Sequence, residues 1–388
     1  MRPFNHVAAG GALLIAFSLA ACARPDPVVS DVTRTDSAGI RIVSSGATDK
    51  DLTWTFEPVG TMSDSAGEPW LFTGTHPRRV MIDRGGRTYV LTDDPSVVRF
   101  GREGRYDRTI GRRGGGPGEM QFPMSIGSQG DSIVVHDVMK GTLVRWGPNL
   151  DPIADRRLDG ALTGAESIAF RSGGFWAVME SYSDTIITTS LVSDTMPVTA
   201  LHSVSRSAAG QANLGCVRLN GMPPLFSPTL TWSVVGPRII VNASADYEIW
   251  MHEGARPMAS VRRRVPSRAP TIEDVRELHP GGMKVGFVSG APECIARAEK
   301  AVEQFGLAAR MPAMHDIKLF SDGTIWVQRT PRSGENQVMD LFSADGAYAG
   351  TVRGMQMPVG MFPSGDLLVP QEDADTGGNV LVRMRVTK

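Results

Sequence analysis

The chain has 388 residues, of which 41% are apolar and 7% aromatic, with 43 Gly and 26 Pro. Glycine stands above its usual ~7% without a Gly-X-Y period, which excludes collagen and points to a turn-rich globular protein. Forty basic residues against 41 acidic ones give a net charge of −1. Nothing in that balance attracts phosphate backbones, so no nucleic-acid partner is expected.

At the N-terminus, Arg2 is the only charge before Arg24, and Val7 to Ala20 is apolar or small apart from Ser18. These are the n-region and h-region of a secretory signal, too short for a comfortable membrane span. The segment ends Leu19-Ala20-Ala21-Cys22, which resembles the lipobox of bacterial lipoproteins. The resemblance implies cleavage after residue 21 and a lipid on Cys22, with each buried methylene worth about 0.8 kcal/mol of anchoring. Ala23, standing where Asp would favour inner-membrane retention, favours the outer membrane, on its periplasmic or surface side. Residues 22–37, punctuated by Pro25 and Pro27, read as a flexible tether.

From residue 38 to 388 the dominant signal is a repeated strand-turn-strand unit with glycine at its corner. It is clearest at Val80–Val90 around Gly85-Gly86 and at Ile317–Val327 around Gly323. Looser copies lie around Gly130, Gly173-Gly174, Gly236-Pro237 and Gly365. In each, alternating apolar residues flank a turn that needs Gly, Asp or Ser. A second hairpin follows several of them, as in Phe100–Tyr106 and Phe342–Tyr348. Two hairpins per unit make a four-stranded blade, and six units predict an all-β, six-bladed β-propeller. The last unit has three clear strands, so Thr53–Thr61 is expected to supply its fourth. That closure leaves no open sheet edge.

The run Ile110-Gly111-Arg112-Arg113-Gly114-Gly115-Gly116-Pro117-Gly118-Glu119 lacks the Lys-Ser/Thr and following helix of a phosphate loop, and reads as a link between blades. With this link, residues 38–388 resemble the NHL/TolB-like six-bladed propellers, and more closely the bacterial six-bladed β-propeller lipoproteins. The resemblance implies the fold and little about chemistry, because propellers host unrelated activities.

Insertions are expected at about 203–226 and 262–312, the latter a small helical insertion between blades 4 and 5. Thr271-Ile272-Glu273-Asp274 reads as a helix start, and residues 293–305 place Ile295, Ala298, Val302 and Phe305 on one helical stripe. Cys216 in the first insertion and Cys294 in the second form a plausible disulfide in an oxidising compartment; two separate thiols are the alternative. Both insertions belong to links that open on the same face as the ends of the second strands. The candidate ligand face is therefore Asp94, His136, Asp137, Glu180, Arg329 and Glu372.

Oxygens gathered around a pore suit Ca²⁺, although acidic residues that start solvated turns are the simpler explanation. Zn²⁺ on His76, His136 and His315 has a weaker case, since no short spacing links them. No cofactor is firmly implied. The run Arg262-Arg263-Arg264 reads as solvated charge at an outer-strand end, with pairing to an anionic partner as the alternative. There is no G-x-S-x-G, H-E-x-x-H or C-x-x-C.

The expected function is an envelope-held module that binds a protein, peptide or glycan through its lidded face. The alternative is a metal-dependent hydrolase or lyase, lactonase-like or amidating-lyase-like, using the propeller pore.

Overall fold

A computed structural model describes residues 32–72, 79–171, 173–182, 186–194, 200–207, 211–220, 222–285, 294–331, 335, 337–373 and 378–388. The signal segment, Cys22, the tether up to residue 31, and His76 lie outside the described residues.

The first described strands are β1 (Val32–Ser37), β2 (Ile40–Ser45) and β3 (Thr55–Thr61). Six antiparallel blades follow. Blade 1 is β4 (Val80–Ile82), β5 (Thr88–Leu91), β6 (Val97–Phe100) and β7 (Tyr106–Ile110). Blade 2 is β8 (Pro123–Gln129), β9 (Ser132–Asp137), β10 (Thr142–Trp146) and β11 (Pro152–Arg157). Blade 3 is β12 (Ser167–Arg171), β13 (Gly174–Tyr182), β14 (Ile186–Ser193) and β15 (Ala200–Ser207). After a small hairpin, β16 (Gln211–Asn213) and β17 (Arg218–Asn220), blade 4 runs through β18 (Thr231–Val235), β19 (Arg238–Asn242), β20 (Glu248–Glu253) and β21 (Arg256–Arg263).

The second insertion contains α1 (Ile272–Leu278), β22 (Met283–Val285), β23 (Cys294–Ala296) and α2 (Ala298–Phe305). Blade 5 is β24 (Met314–Leu319), β25 (Ile325–Arg329), β26 (Val338–Phe342) and β27 (Tyr348–Arg353). Blade 6 is β28 (Gly360–Met361), β29 (Leu367–Glu372) and β30 (Asn379–Thr387), with β3 as its outer strand, Thr55 opposite Thr387. The ring thus closes through the N-terminal strand, as the three-stranded last repeat requires.

Side chains alternate along each strand, so successive residues face opposite neighbouring blades. Val135 packs with Leu91 and Val97 of blade 1, whereas Val134 packs with Ile168 and Phe175 of blade 3. Trp176 meets Trp232 between blades 3 and 4, and Ile240 meets Ile317 between blades 4 and 5. Trp326 meets Leu367 between blades 5 and 6, and Leu368 meets Phe100 between blades 6 and 1. Six apolar clusters therefore fill the six interfaces. The tryptophans serve this packing, which is why they recur in the strands.

Two expectations need correction. Residues 32–37, assigned to the tether, form β1, paired with β2 from Val32–Ser45 to Ser37–Ile40. The turn is Ala38-Gly39 with both φ values positive, 51° and 78°, the geometry of a two-residue hairpin. β2 then adds in parallel to β21, so blade 4 carries two extra outer strands. In the second insertion the helical stripe begins only at Ala298; Ile295 sits on β23 and is exposed. The first helix starts as expected, with the Asp274 carboxylate accepting from the Thr271 amide at 2.7 Å.

The candidate functional site on the lidded face

Links from each outer strand to the next inner strand, and loops between second and third strands, open on one face. Both insertions belong to such links. Cys216 and Cys294, 78 residues apart, are joined by a disulfide with Cα atoms 5.5 Å apart. Around it Ala212, Leu214, Ala296, Ala301 and Phe305 form a small core separate from the blades, so the two insertions make one packed lid. A short bridge, Leu225 to Leu307, ties the two insertions again.

A cavity of about 760 Å³ runs along the propeller axis. Inner strands from all six blades line it, with apolar walls from Ile82, Ile126, Ile168, Val235 and Met361. At the end nearer the lidded face it is lined by Thr231, His315, Asp316, Gln328, Gln337 and Gln356, while Ser128, Ser233 and Lys318 add polar groups further along.

The candidate ligand residues do lie at second-strand ends or just beyond them, but they do not form one cluster. Asp94 and Glu372 are exposed. Asp137 is fully buried and accepts from the amides of Gln121, Phe122 and Lys140, the last at 3.0 Å. Its task is to fix the glycine-rich link. That link is held further by Lys140, whose Nζ donates to the carbonyls of Gly116 and Glu119 and to Asp155, each within 3.0 Å. Gly118, at φ 71°, has no room for a Cβ, which would lie 2.7 Å from Pro152. His136 is fully buried with neither ring nitrogen hydrogen-bonded among the described residues, and burial pushes its pKa down to about 4. His315 is exposed at the cavity, in a different environment from His136. Among the described residues no three or more His, Cys, Asp or Glu stand together as metal ligands.

Glu180 accepts from Thr189 at 2.7 Å and pairs with Arg206 at 2.6 Å. Beside it, burial and then the Glu180 charge push the Glu166 carboxyl up to about 7. Two carboxyl groups thus stand together at the same blade end, and both burial and the Glu180 neighbour disfavour the ionised form of Glu166. Glu166 was not among the sequence candidates, because only its position across from β13 reveals the neighbour.

The largest polar constellation surrounds Arg329. This guanidinium donates to Asp340 at 2.8 and 2.7 Å and to Asp49 on the segment between β2 and β3. Asp340, fully buried, also accepts from Tyr247 at 2.8 Å, Thr351 at 2.7 Å and Arg263 at 2.8 Å. Arg263 reaches on to Asp49 at 2.8 Å and lies 4.0 Å over the Tyr348 ring. Arg353 closes the network on Asp49 and Asp51. Burial pushes the Asp49 carboxyl up, but hydrogen bonds from Arg329 and Arg263 hold it well below the usual range.

This corrects the reading of residues 262–264 as solvated charge. Arg262 and Arg264 are exposed, but Arg263 has a side chain that is 0% exposed. The alternation of a strand end was the signal that could have separated them. Arg329 is likewise tied to Asp340 and Asp49, and its side chain, 16% exposed, lines a second cavity beside Arg268 and Arg353.

No family model matches the chain, and no curated protein matches it. Among solved structures it is similar to a candidate exported protein of Bacteroides fragilis, at 10% identity and TM-score 0.50, covering 89% of this chain and 100% of that one. It is also similar to the calcium-binding protein regucalcin of Agrobacterium tumefaciens, at 12% identity and TM-score 0.39, covering 85% and 95% of the two chains. A streptogramin B lyase shares 10% identity at TM-score 0.37, with 84% and 86% covered. The first of these likenesses supports the six-bladed propeller fold, and at this identity nothing about activity follows.

Proposed function

We propose that this chain is a propeller lipoprotein of the bacterial cell envelope, held by lipid on Cys22, that binds a protein partner through its lidded face. The observation that carries the reading is where exposed apolar side chains lie. Eight large hydrophobic residues are well exposed among the described residues. Seven of them, Leu71, Phe122, Met124, Met139, Ile186, Leu278 and Ile295, sit in links, loops or strand ends that open on this face, or in its lid. Phe122 (54% exposed) and Met139 (70% exposed) are joined through the Val138 amide, which donates to the Phe122 carbonyl. Exposed apolar side chains concentrated on one face mark a protein contact better than a glycan contact. The lipid anchor rests on the lipobox, and the outer membrane is its proposed destination.

Two experiments test this. Cys22→Ser is expected to move the protein from the membrane to the soluble fraction of the envelope; unchanged membrane fractionation refutes the anchor. Phe122→Ser with Met139→Ser is expected to abolish co-purification of the partner from crosslinked envelope; retention of that partner refutes the face.

The Glu166–Glu180 pair favours a second reading, a hydrolase or lyase, since a carboxyl pushed up to about 7 beside a second carboxyl suits acid–base work. Turnover of a lactone, ester or peptide that falls at least 100-fold in Glu166→Gln would establish it; absence of turnover removes it.

A further inference from the structure

Polar groups line the axial cavity along its length, including Ser128, Ser233 and Lys318, but amide side chains gather at one end, from blade 5 and the link to blade 6. Gln328 closes β25, Gln337 precedes β26, and Gln356 lies on the link to β28. All three are at the end nearer the lidded face. The inner strand of blade 6 is only Gly360–Met361, so the second-strand residue Pro370 and Gln356 reach the cavity wall there.

None of the three glutamine side chains bonds to another protein group among the described residues. The Gln337 amide oxygen is buried without a partner, as is the Thr231 hydroxyl across the cavity mouth. A buried polar atom left unpaired costs about 1–3 kcal/mol, so such atoms converging on one cavity point to a ligand that completes them.

We infer that this end of the cavity takes a peptide segment. Each glutamine offers an amide donor and an amide acceptor on one planar group, the pattern that a peptide backbone presents in return. The apolar part of the walls below this end, Ile82, Ile126, Ile168, Val235 and Met361, suits apolar side chains of the segment. The volume lies within the usual range of ligand pockets, ~300–1,000 Å³. The assignment rests on the lidded face being the binding face, and names what enters it: part of the partner, or a free peptide of the same chemistry.

Met81, Met357 and Met361 line the cavity, so methyl-labelled methionine gives a direct reporter by NMR. The probe is an acetylated, amidated pentapeptide of leucine, alanine and valine, with chitotriose as the glycan comparison, added to the full mature chain. The peptide is expected to shift these three methyl signals, and Gln328→Leu with Gln337→Leu to weaken its binding about tenfold. Gln356→Leu, on a link rather than in a strand, is the variant to use if the double variant does not fold.

Shifts with chitotriose alone, shifts with neither probe, or peptide binding unchanged in the glutamine variants would each overturn the inference. Loss of cavity binding while partner capture still depends on Phe122 and Met139 would sink this inference and leave the docking face standing.

Discussion

Arg329, at the end of a second strand in blade 5, holds Asp49, which lies 280 residues earlier on the segment leaving blade 4. That segment begins as β2 on the edge of blade 4 and crosses blade 5, where the Lys50 and Leu52 backbones pair with Thr351. It ends as β3 in blade 6. The N-terminal strands are therefore a strap over three consecutive blades, and the arginine network is where the strap is fastened.

Removing the buried acceptor of that network should be costly. Asp340→Asn leaves Arg263, fully buried, without its main counter-charge, and breaking a buried pair costs about 3–5 kcal/mol. Asp51→Asn, at a side chain that is 70% exposed, should cost less than about 1 kcal/mol. Denaturant unfolding of the two variants should separate them clearly, and equal losses would contradict a buried network.

The same network sets behaviour in acid. A carboxylate held below its usual range stabilises the fold above the unfolded value, and that stability is lost as pH falls through the folded value. Asp49 is such a group, and Asp274, held by Arg268 at about 2, is another. Unfolding below about pH 4 should be reduced in steepness by Asp49→Asn, measured as midpoint against pH.

His136 adds a second, separate window. Its folded value near 4 lies below the ordinary 6.5, so the unfolded chain takes up a proton first. Stability is complete above about pH 6.5 and is lost as pH falls towards 4, by about 1.4 kcal/mol per pH unit. His136→Leu, filling the same buried site, should remove that slope between pH 6 and 4.5. An unchanged slope would mean that His136 is protonated in the folded state.

The blades were legible because their turns and strand alternation repeat, and repetition multiplies a weak local signal. Thr53–Thr61 was legible for the same reason: one blade lacked a strand. The strap was not. Val32–Ser37 is mostly exposed and polar, and only its pairing to Ile40–Ser45 makes it a strand. Arg263 looked like solvated charge and Arg329 like part of a ligand face because their partners, Asp49 and Asp340, are distant in sequence. The candidate ligand face was placed on the correct strand ends, yet Asp137 and Arg329 turn inward to hold the fold. What sequence could not show is that Gln328, Gln337 and Gln356 line one end of a single cavity.

The lid should depend on its disulfide. Unreduced, denatured mature protein is expected to show no free thiol, and Cys216→Ala with Cys294→Ala to lose about 2–5 kcal/mol. Limited proteolysis should then cut first within the two insertions. Two thiols in the unreduced protein would contradict the clipped lid.

The most direct test of the docking face is photo-crosslinking from single positions in native envelope. A photoreactive residue replacing Phe122 or Met139 should give one shared adduct with the partner. The same residue replacing Asp322, in a turn on the opposite face, should give none. An adduct from position 322 with none from 122 or 139 would contradict the assignment of the lidded face.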